Sequence, residues 1–184
     1  MEDDFDYTTF IIRTDRLVMR PPVRDDFEPY AAMWADPEVT RHIGGEARDR
    51  ERSWRAFTAM AGQWTLLGFG NFVVRDRETD DYLGVIGPAQ YERGLGADFD
   101  PFPEYGWAFA TAAHGRGLAT EALRAVIAVG EAAFGFERTV CLISAANAAS
   151  IRVAEKCGYR LMRDAEYNKT PSILFEREPE PAAS

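Results

Sequence analysis

Residues 113–123 read AHGRGLATEAL: Gly115 and Gly117 bracket Arg116, and a helical pattern starts at once. Just upstream, Glu104 to Phe109 (EYGWAF) alternates Tyr105, Trp107 and Phe109 with Glu104, Gly106 and Ala108, which is strand periodicity aimed into the turn. Downstream, Ala119, Ala122, Leu123, Val126, Ile127, Gly130, Ala133 and Phe134 fall on one helical face, with Glu121, Arg124 and Glu131 opposite. A strand, a glycine turn and a helix start together make an anion site. The first turn of a helix carries unpaired N–H groups and roughly half a positive charge, and glycines let a phosphate approach that backbone closely. Arg116 adds a full charge. A ligand-free connection explains the turn alone just as well, so the rest of the chain has to decide.

Working outward, Arg16–Arg20 (RLVMR) reads as a strand and Asp25–Ala35 as a helix opened by acids and stopped by Asp36-Pro37. Arg48–Leu67 reads as a second helical region, with Trp54, Phe57, Met60 and Ala61 on one face and Gly68 closing it. Residues 71–74 and 82–91 form a predicted β-hairpin across the polar stretch RDRETDD. Residues 92–103 are rich in glycine and proline and predict an irregular loop bordering the site. Thr139–Ser144 predicts a buried strand, and Asn147 a cap for a short helix ended by Gly158. Tyr159–Arg163 and Ile173–Glu178 are two further strand-like runs joined by the polar linker DAEYNKTPS.

Composition sets the class. A chain of 184 residues, 46% hydrophobic and 12% aromatic, can fill the core of one domain. The expected organisation is an acidic arm over residues 1–9, a domain over 10–177 and a disordered tail over 178–184. A net charge of -9 repels nucleic acid and anionic membranes at long range. The four acids in Met1–Tyr7 leave no basic n-region, and no apolar run approaches a membrane span, so the expectation is a cytoplasmic protein. Cys141 and Cys157 sit in apolar stretches and read as buried thiols; His42 and His114 show no metal-ligand spacing, and no metal is expected. Aromatics such as Trp34, Trp54, Phe57, Trp64, Phe99, Phe102 and Tyr167 could line an acceptor pocket but read as core.

Two nucleotide motifs fail here: no GxxxxGK[ST] is present, and a dinucleotide fingerprint would need glycine where Thr120 stands. The turn His114-Gly115-Arg116-Gly117-Leu118-Ala119 instead resembles the Gln/Arg-x-x-Gly-x-Gly/Ala signature of the GNAT superfamily of acyl-CoA-dependent N-acyltransferases. More specifically, TDRLVMRP, EYGWAF, HGRGLATEAL and NAASIRVAEKCGY, in this order, look like the Rim-type branch that includes the ribosomal-protein N-terminal acetyltransferases. The resemblance runs from about Thr14 to Glu176. It implies an α/β (α+β) single-domain fold whose central twisted sheet is mixed, mostly antiparallel, splayed at the acyl-CoA site and flanked by helices.

The resemblance also implies roles. The coenzyme A pyrophosphate would lie on the backbone of His114, Gly115, Arg116, Gly117, Leu118, Ala119 and Thr120, and pantetheine beside Trp107, Ala108 and Phe109. Asn147 would hold pantetheine or the thioester region, and Ser150 would lie near the sulfur; capping of the helix is open to both residues as well. His114 replaces the usual glutamine or arginine, and Ala154 stands where many members carry a tyrosine acid. Acetyl-CoA is the implied co-substrate and a primary amine the acceptor, attacking the thioester directly, with backbone N–H groups near Phe109 stabilising the oxyanion. Glu104 is the candidate base and Ser150 the candidate donor to the thiolate; Glu104 as a mere ion-pair partner is the alternative. Deprotonating an α-amine at pH 7 costs about 1 kcal/mol against about 4.6 kcal/mol for a lysine amine, which favours a peptide N-terminus or a small-molecule amine as acceptor. A homodimer through exposed strands or the C-terminal hairpin is compatible with the family. The competing readings are a catalytically silent acyl-CoA-binding or regulatory module and, on GRGLAT alone, an NAD(P)-dependent oxidoreductase.

Overall fold

The computed structural model describes residues 10–179. The expected acidic arm, residues 1–9, and positions 180–184 of the expected tail lie outside the described residues. Strands β1 (Ile12–Arg13) and β2 (Leu17–Arg20) lead through a single 3-10 turn into α1 (Phe27–Trp34), the short α2 (Pro37–Thr40) and the long α3 (Arg50–Leu67). Then follow β3 (Phe72–Asp76), β4 (Tyr82–Ala89), β5 (Glu104–Phe109), α4 (Leu118–Phe134), β6 (Thr139–Ser144), α5 (Ala148–Lys156), β7 (Arg160–Tyr167) and β8 (Thr170–Arg177).

The strands form one eight-stranded sheet in the order β1-β2-β3-β4-β5-β6-β8-β7. Neighbours are antiparallel except β5 and β6, which are parallel and share a single register pair, Glu104 with Val140. The Val140 N–H donates to the Pro103 carbonyl at 3.0 Å. Past that point the two strands part, and the sheet splays open toward the end of β5.

Helices cover both faces. Behind β5, α4 buries Leu118, Ala122, Leu123, Val126, Ile127 and Gly130, the apolar stripe expected from its 3.6-residue period. Fully buried side chains such as Leu118 and Leu123 contribute about 1.5–3 kcal/mol each. Gly130 is where α4 comes closest: a Cβ there would stand 2.1 Å from the Tyr105 hydroxyl, which donates to the Val126 carbonyl at 3.1 Å. On the other face, Phe27, Tyr30, Met33 and Trp34 of α1 and Phe57 and Met60 of α3 pack over Val73, Val85 and Ala108. Asp49 caps α3 by accepting from the Arg52 N–H at 2.7 Å, and Trp64 donates its indole N–H to the Asn71 carbonyl at 2.9 Å.

Two local expectations change. Asp36-Pro37 does end α1, but it also starts α2: the Asp36 carboxylate accepts from the Glu38 N–H at 2.9 Å, with proline at the first helical position, where no N–H is needed. The stretch DAEYNKTPS is no linker. Strand β7 runs to Tyr167 and β8 starts at Thr170, joined by Asn168 and Lys169 at φ of 49° and 62°, a tight left-handed hairpin turn.

Among the described residues no helix is long and apolar enough to cross a membrane, and no group of His, Cys, Asp and Glu is arranged to hold a metal. Cys141 and Cys157 are free and buried.

Candidate active site

The open gap between β5 and β6 sets the site. In an antiparallel pair, backbone groups alternate between facing the neighbour and facing away. The Ala110 N–H donates to the Leu83 carbonyl, and Ala108 is opposite Val85, so Ala108 turns its backbone to β4. Trp107 and Phe109 therefore turn theirs to the gap. Ala108, 5% exposed, contributes only its methyl group to the cleft wall.

Past the end of β5, a turn of 3-10 helix (Thr111–Ala113) leads to His114, whose Nε2 lies 2.9 Å from the Phe109 carbonyl oxygen. Since a carbonyl only accepts, Nε2 is the donor, and the contact commits the side chain to the strand end rather than to a phosphate. Gly115 and Gly117 follow at φ of 72° and 75°, the left-handed conformation that costs other residues roughly 1–2 kcal/mol. Gly117 is the N-cap of α4, and no side chain caps that end. The N–H groups of Gly115 through Thr120 have no hydrogen-bond partner among the described residues. Such a run of outward donors at a helix start suits a pyrophosphate, so the chain's residues fit coenzyme A here.

Arg16, in the TDRL block, holds this turn in place. Its guanidinium donates to Glu121 at 2.7 Å and to the Arg116 carbonyl at 2.9 Å. The Arg116 guanidinium stands 3.7 Å from Asp76, so its charge is shared with the β3–β4 turn.

On the other side of the gap, Asn147 caps α5 by accepting from the Ser150 N–H at 3.1 Å, leaving its amide NH₂ to donate elsewhere. The Trp107 indole N–H donates to the Ser150 hydroxyl at 3.2 Å, so the Ser150 O–H keeps its own proton to give. Both residues line a cleft of about 530 Å³ that passes through the splayed sheet, with Tyr30, Trp34 and Met60 on its far wall.

Glu104, at the start of β5, lines the same cleft and is 5% exposed. Arg93, from the irregular loop, grips it with both arms: Nε donates to Oε2 at 2.6 Å and the terminal nitrogen to Oε1 at 2.8 Å. Burial holds the Glu104 carboxyl above the ordinary glutamate range, with Arg93 opposing. A carboxylate accepts at about four positions, and Arg93 fills two, so an amine or water can still reach it. Arg93 also stacks on Tyr91 and Tyr167, its carbon 4.3 and 4.7 Å from the ring centres. Trp34 and Tyr167 thus line the cleft, whereas Phe57, Trp64 and Phe99 are buried core.

Of the predicted residues, Glu104, Trp107, Ala108, Asn147 and Ser150 line one cleft; Phe109 ends β5 and the turn 114–120 follows beyond it, with the Arg116 guanidinium turned to Asp76. Sequence reading missed Arg93, Arg48 and Arg16. Only Arg16 left a signal, because it sits in a motif block; the two others meet the site from loops.

A mostly antiparallel sheet opening between two parallel strands, with a glycine turn and helix behind the gap, is not the doubly wound parallel sheet of a dinucleotide-binding fold. The chain matches the acetyltransferase (GNAT) domain family over residues 16–160, and it belongs to that family. It is 30% identical to YkkB of Bacillus subtilis over 168 residues, 89% of this chain and 93% of that one. A GNAT-family acetyltransferase from Bordetella pertussis has 32% identity and a TM-score of 0.82, covering 91% of this chain and 99% of its own. The RimL acetyltransferase of ribosomal protein L7/L12, in complex with coenzyme A, shares the fold at 13% identity with a TM-score of 0.75, covering 92% and 98%. The protein is an acyltransferase.

Proposed function

We propose that this enzyme is an acetyl-CoA-dependent N-acetyltransferase of the Rim-type branch, moving an acetyl group to a primary amine by direct attack in a ternary complex. The observation that carries this reading is the continuity between the unpartnered N–H groups of Gly115–Thr120 and the backbone groups of Trp107 and Phe109 facing the gap. Together they supply a track for pyrophosphate and pantetheine. Acetyl-CoA supplies the activated acyl group. Four ordered sequence blocks support the Rim-type assignment.

In this reading the Phe109 N–H stabilises charge on the acyl oxygen, since the strand carbonyl beside it is already engaged by His114. Asn147 donates its amide to pantetheine. Ser150 is oriented by Trp107 and donates a hydrogen bond from its hydroxyl to the departing sulfur, in place of the tyrosine acid that Ala154 lacks; the sulfur leaves as a thiolate and takes its proton from solvent. A thiol of pKa about 8.5 needs only modest help to leave. Glu104 takes the amine proton directly or through water, and its raised basicity suits that task. The α-amine of a peptide or a small-molecule amine is the acceptor this base serves at neutral pH.

The test is coenzyme A thiol release measured with acetyl-CoA across peptide N-termini, amino acids, polyamines and amino sugars. Amine-dependent release with N-acetylated product supports the reading. Release that is independent of amine, or its absence with every acceptor despite acetyl-CoA binding, would replace it with an acyl-CoA-binding module.

A further inference from the structure

The charges lining the cleft do not cancel. Two arginines, Arg48 and Arg93, stand against one glutamate, Glu104, which leaves one positive charge over. This occurs inside a chain whose net charge is -9. Arg93 is matched by its two bonds to Glu104; the surplus cation is therefore Arg48.

Arg48 is half-buried, yet no carboxylate pairs with it among the described residues. Its guanidinium lies 3.6 Å from the centre of the Trp34 ring, and one nitrogen reaches the neutral Tyr30 hydroxyl at 3.4 Å. A guanidinium has five N–H donors, so most of them remain available from the cleft. Keeping a desolvated cation without a counter-charge is costly, and stacking on an indole offsets only part of that cost. Neutral partners hold the planar fork in place, in the geometry that suits two carboxylate oxygens.

We infer that Arg48 is the acceptor-binding residue for a carboxylate, so that the enzyme acetylates an amine carrying an anionic group: an amino acid or an acidic peptide N-terminus rather than a polyamine or a polycationic amino sugar. This inference rests on the acetyltransfer reading and narrows its acceptor. The cleft carries Arg48 on its α1–α3 side and Glu104 at the start of β5. An acceptor bound by its carboxylate at the first would present its amine toward the second. A polycation would meet a repelling guanidinium and a glutamate already neutralised.

The experiment compares matched pairs. Thiol release is measured for free amino acids and their carboxamides, for C-terminally amidated peptides beginning with aspartate or alanine, and for spermidine, using wild type, Arg48→Gln and Arg48→Lys. In parallel, calorimetry measures binding of N-acetyl amino acids and of their amides, with thermal unfolding as the check on fold. We expect acids to exceed amides by about tenfold or more in wild type, the ratio to collapse toward one in Arg48→Gln, and Arg48→Lys to recover part of it. Preference for free amino acids or for the aspartyl peptide identifies the source of the carboxylate. Acid-selective, Arg48-dependent binding without any turnover would leave the anion site standing and remove the acetyltransfer reading. Equal use or binding of acids and amides, a preference for spermidine, no binding of either, or an Arg48→Gln variant that lowers acid and amide alike would overturn the inference.

Discussion

The Trp107 indole N–H donates to the Ser150 hydroxyl at 3.2 Å, a bond that ties the open end of β5 to the first turn of α5 across the gap. It fixes where the Ser150 proton can go. Ser150→Ala is expected to lower kcat by about tenfold with little change in thermal stability, because the residue is partly exposed and its backbone N–H still donates to the capping Asn147 side chain. Trp107→Phe, which keeps the ring but not the donor, is expected to lower kcat by a smaller factor. Combined, the two changes should be less than additive, since each acts through the same hydroxyl. Steady-state kinetics on the three variants checks this.

The pH dependence of the reaction follows from Glu104. Burial raises its carboxyl above the reference value of 4.5, so activity is expected to fall as the pH drops through a value higher than that of an exposed glutamate. Glu104→Gln is expected to lower kcat/KM and to abolish that acidic limb. An unchanged pH profile in the variant would leave Glu104 only its ion pair with Arg93.

Gly115 has open space around it: a Cβ would meet nothing within 4 Å. The need for glycine there is therefore purely conformational, set by φ of 72°. Gly115→Val is expected to weaken acetyl-CoA binding more than Gly115→Asn does, by roughly the 1–2 kcal/mol that separates β-branched from left-handed-tolerant residues. Calorimetric affinities of the two variants decide the point.

Stability should depend on Asp26, which is fully buried beneath Arg20 and Arg75 at 2.6 and 2.9 Å and also accepts from the Val23 N–H. Burial alone would raise its carboxyl, but the bonds from Arg20, Val23 and Arg75 outweigh it and hold it below the usual range. With a depressed folded value, its contribution is present above the unfolded value of about 3.8 and is lost as the pH falls through the folded one. Asp26→Ala removes the buried carboxylate that both guanidiniums share, leaving Arg75 only the exposed Asp80, and is expected to cost about 3–5 kcal/mol, read from urea unfolding at neutral pH.

How much of this was legible in the sequence differs by element for physical reasons. The spans of α4, β5 and β6 follow from local periodicity, because each buries one clean face or is buried throughout. The full length of the β7–β8 hairpin was hidden because β7 is an edge strand, partly exposed along its length, so polar residues such as Asp164 and Glu166 carry no penalty there. Its turn uses Asn168 and Lys169 instead of the glycine that usually marks it. Within the site, the glycine turn and Asn147 were legible from local capping and turn chemistry. Arg93 and Arg48 were not, since both are single charged residues in loops whose meaning depends on which strand they fold against.

Calorimetric titration of the purified protein with acetyl-CoA decides whether the glycine turn is a coenzyme site. Saturable binding of one acetyl-CoA per chain is expected, weakened in Gly115→Val and with no heat from NAD. Absence of acetyl-CoA binding by the folded protein would mean that the HGRGLAT turn is only a connection between β5 and α4, and the proposed function would fall with it.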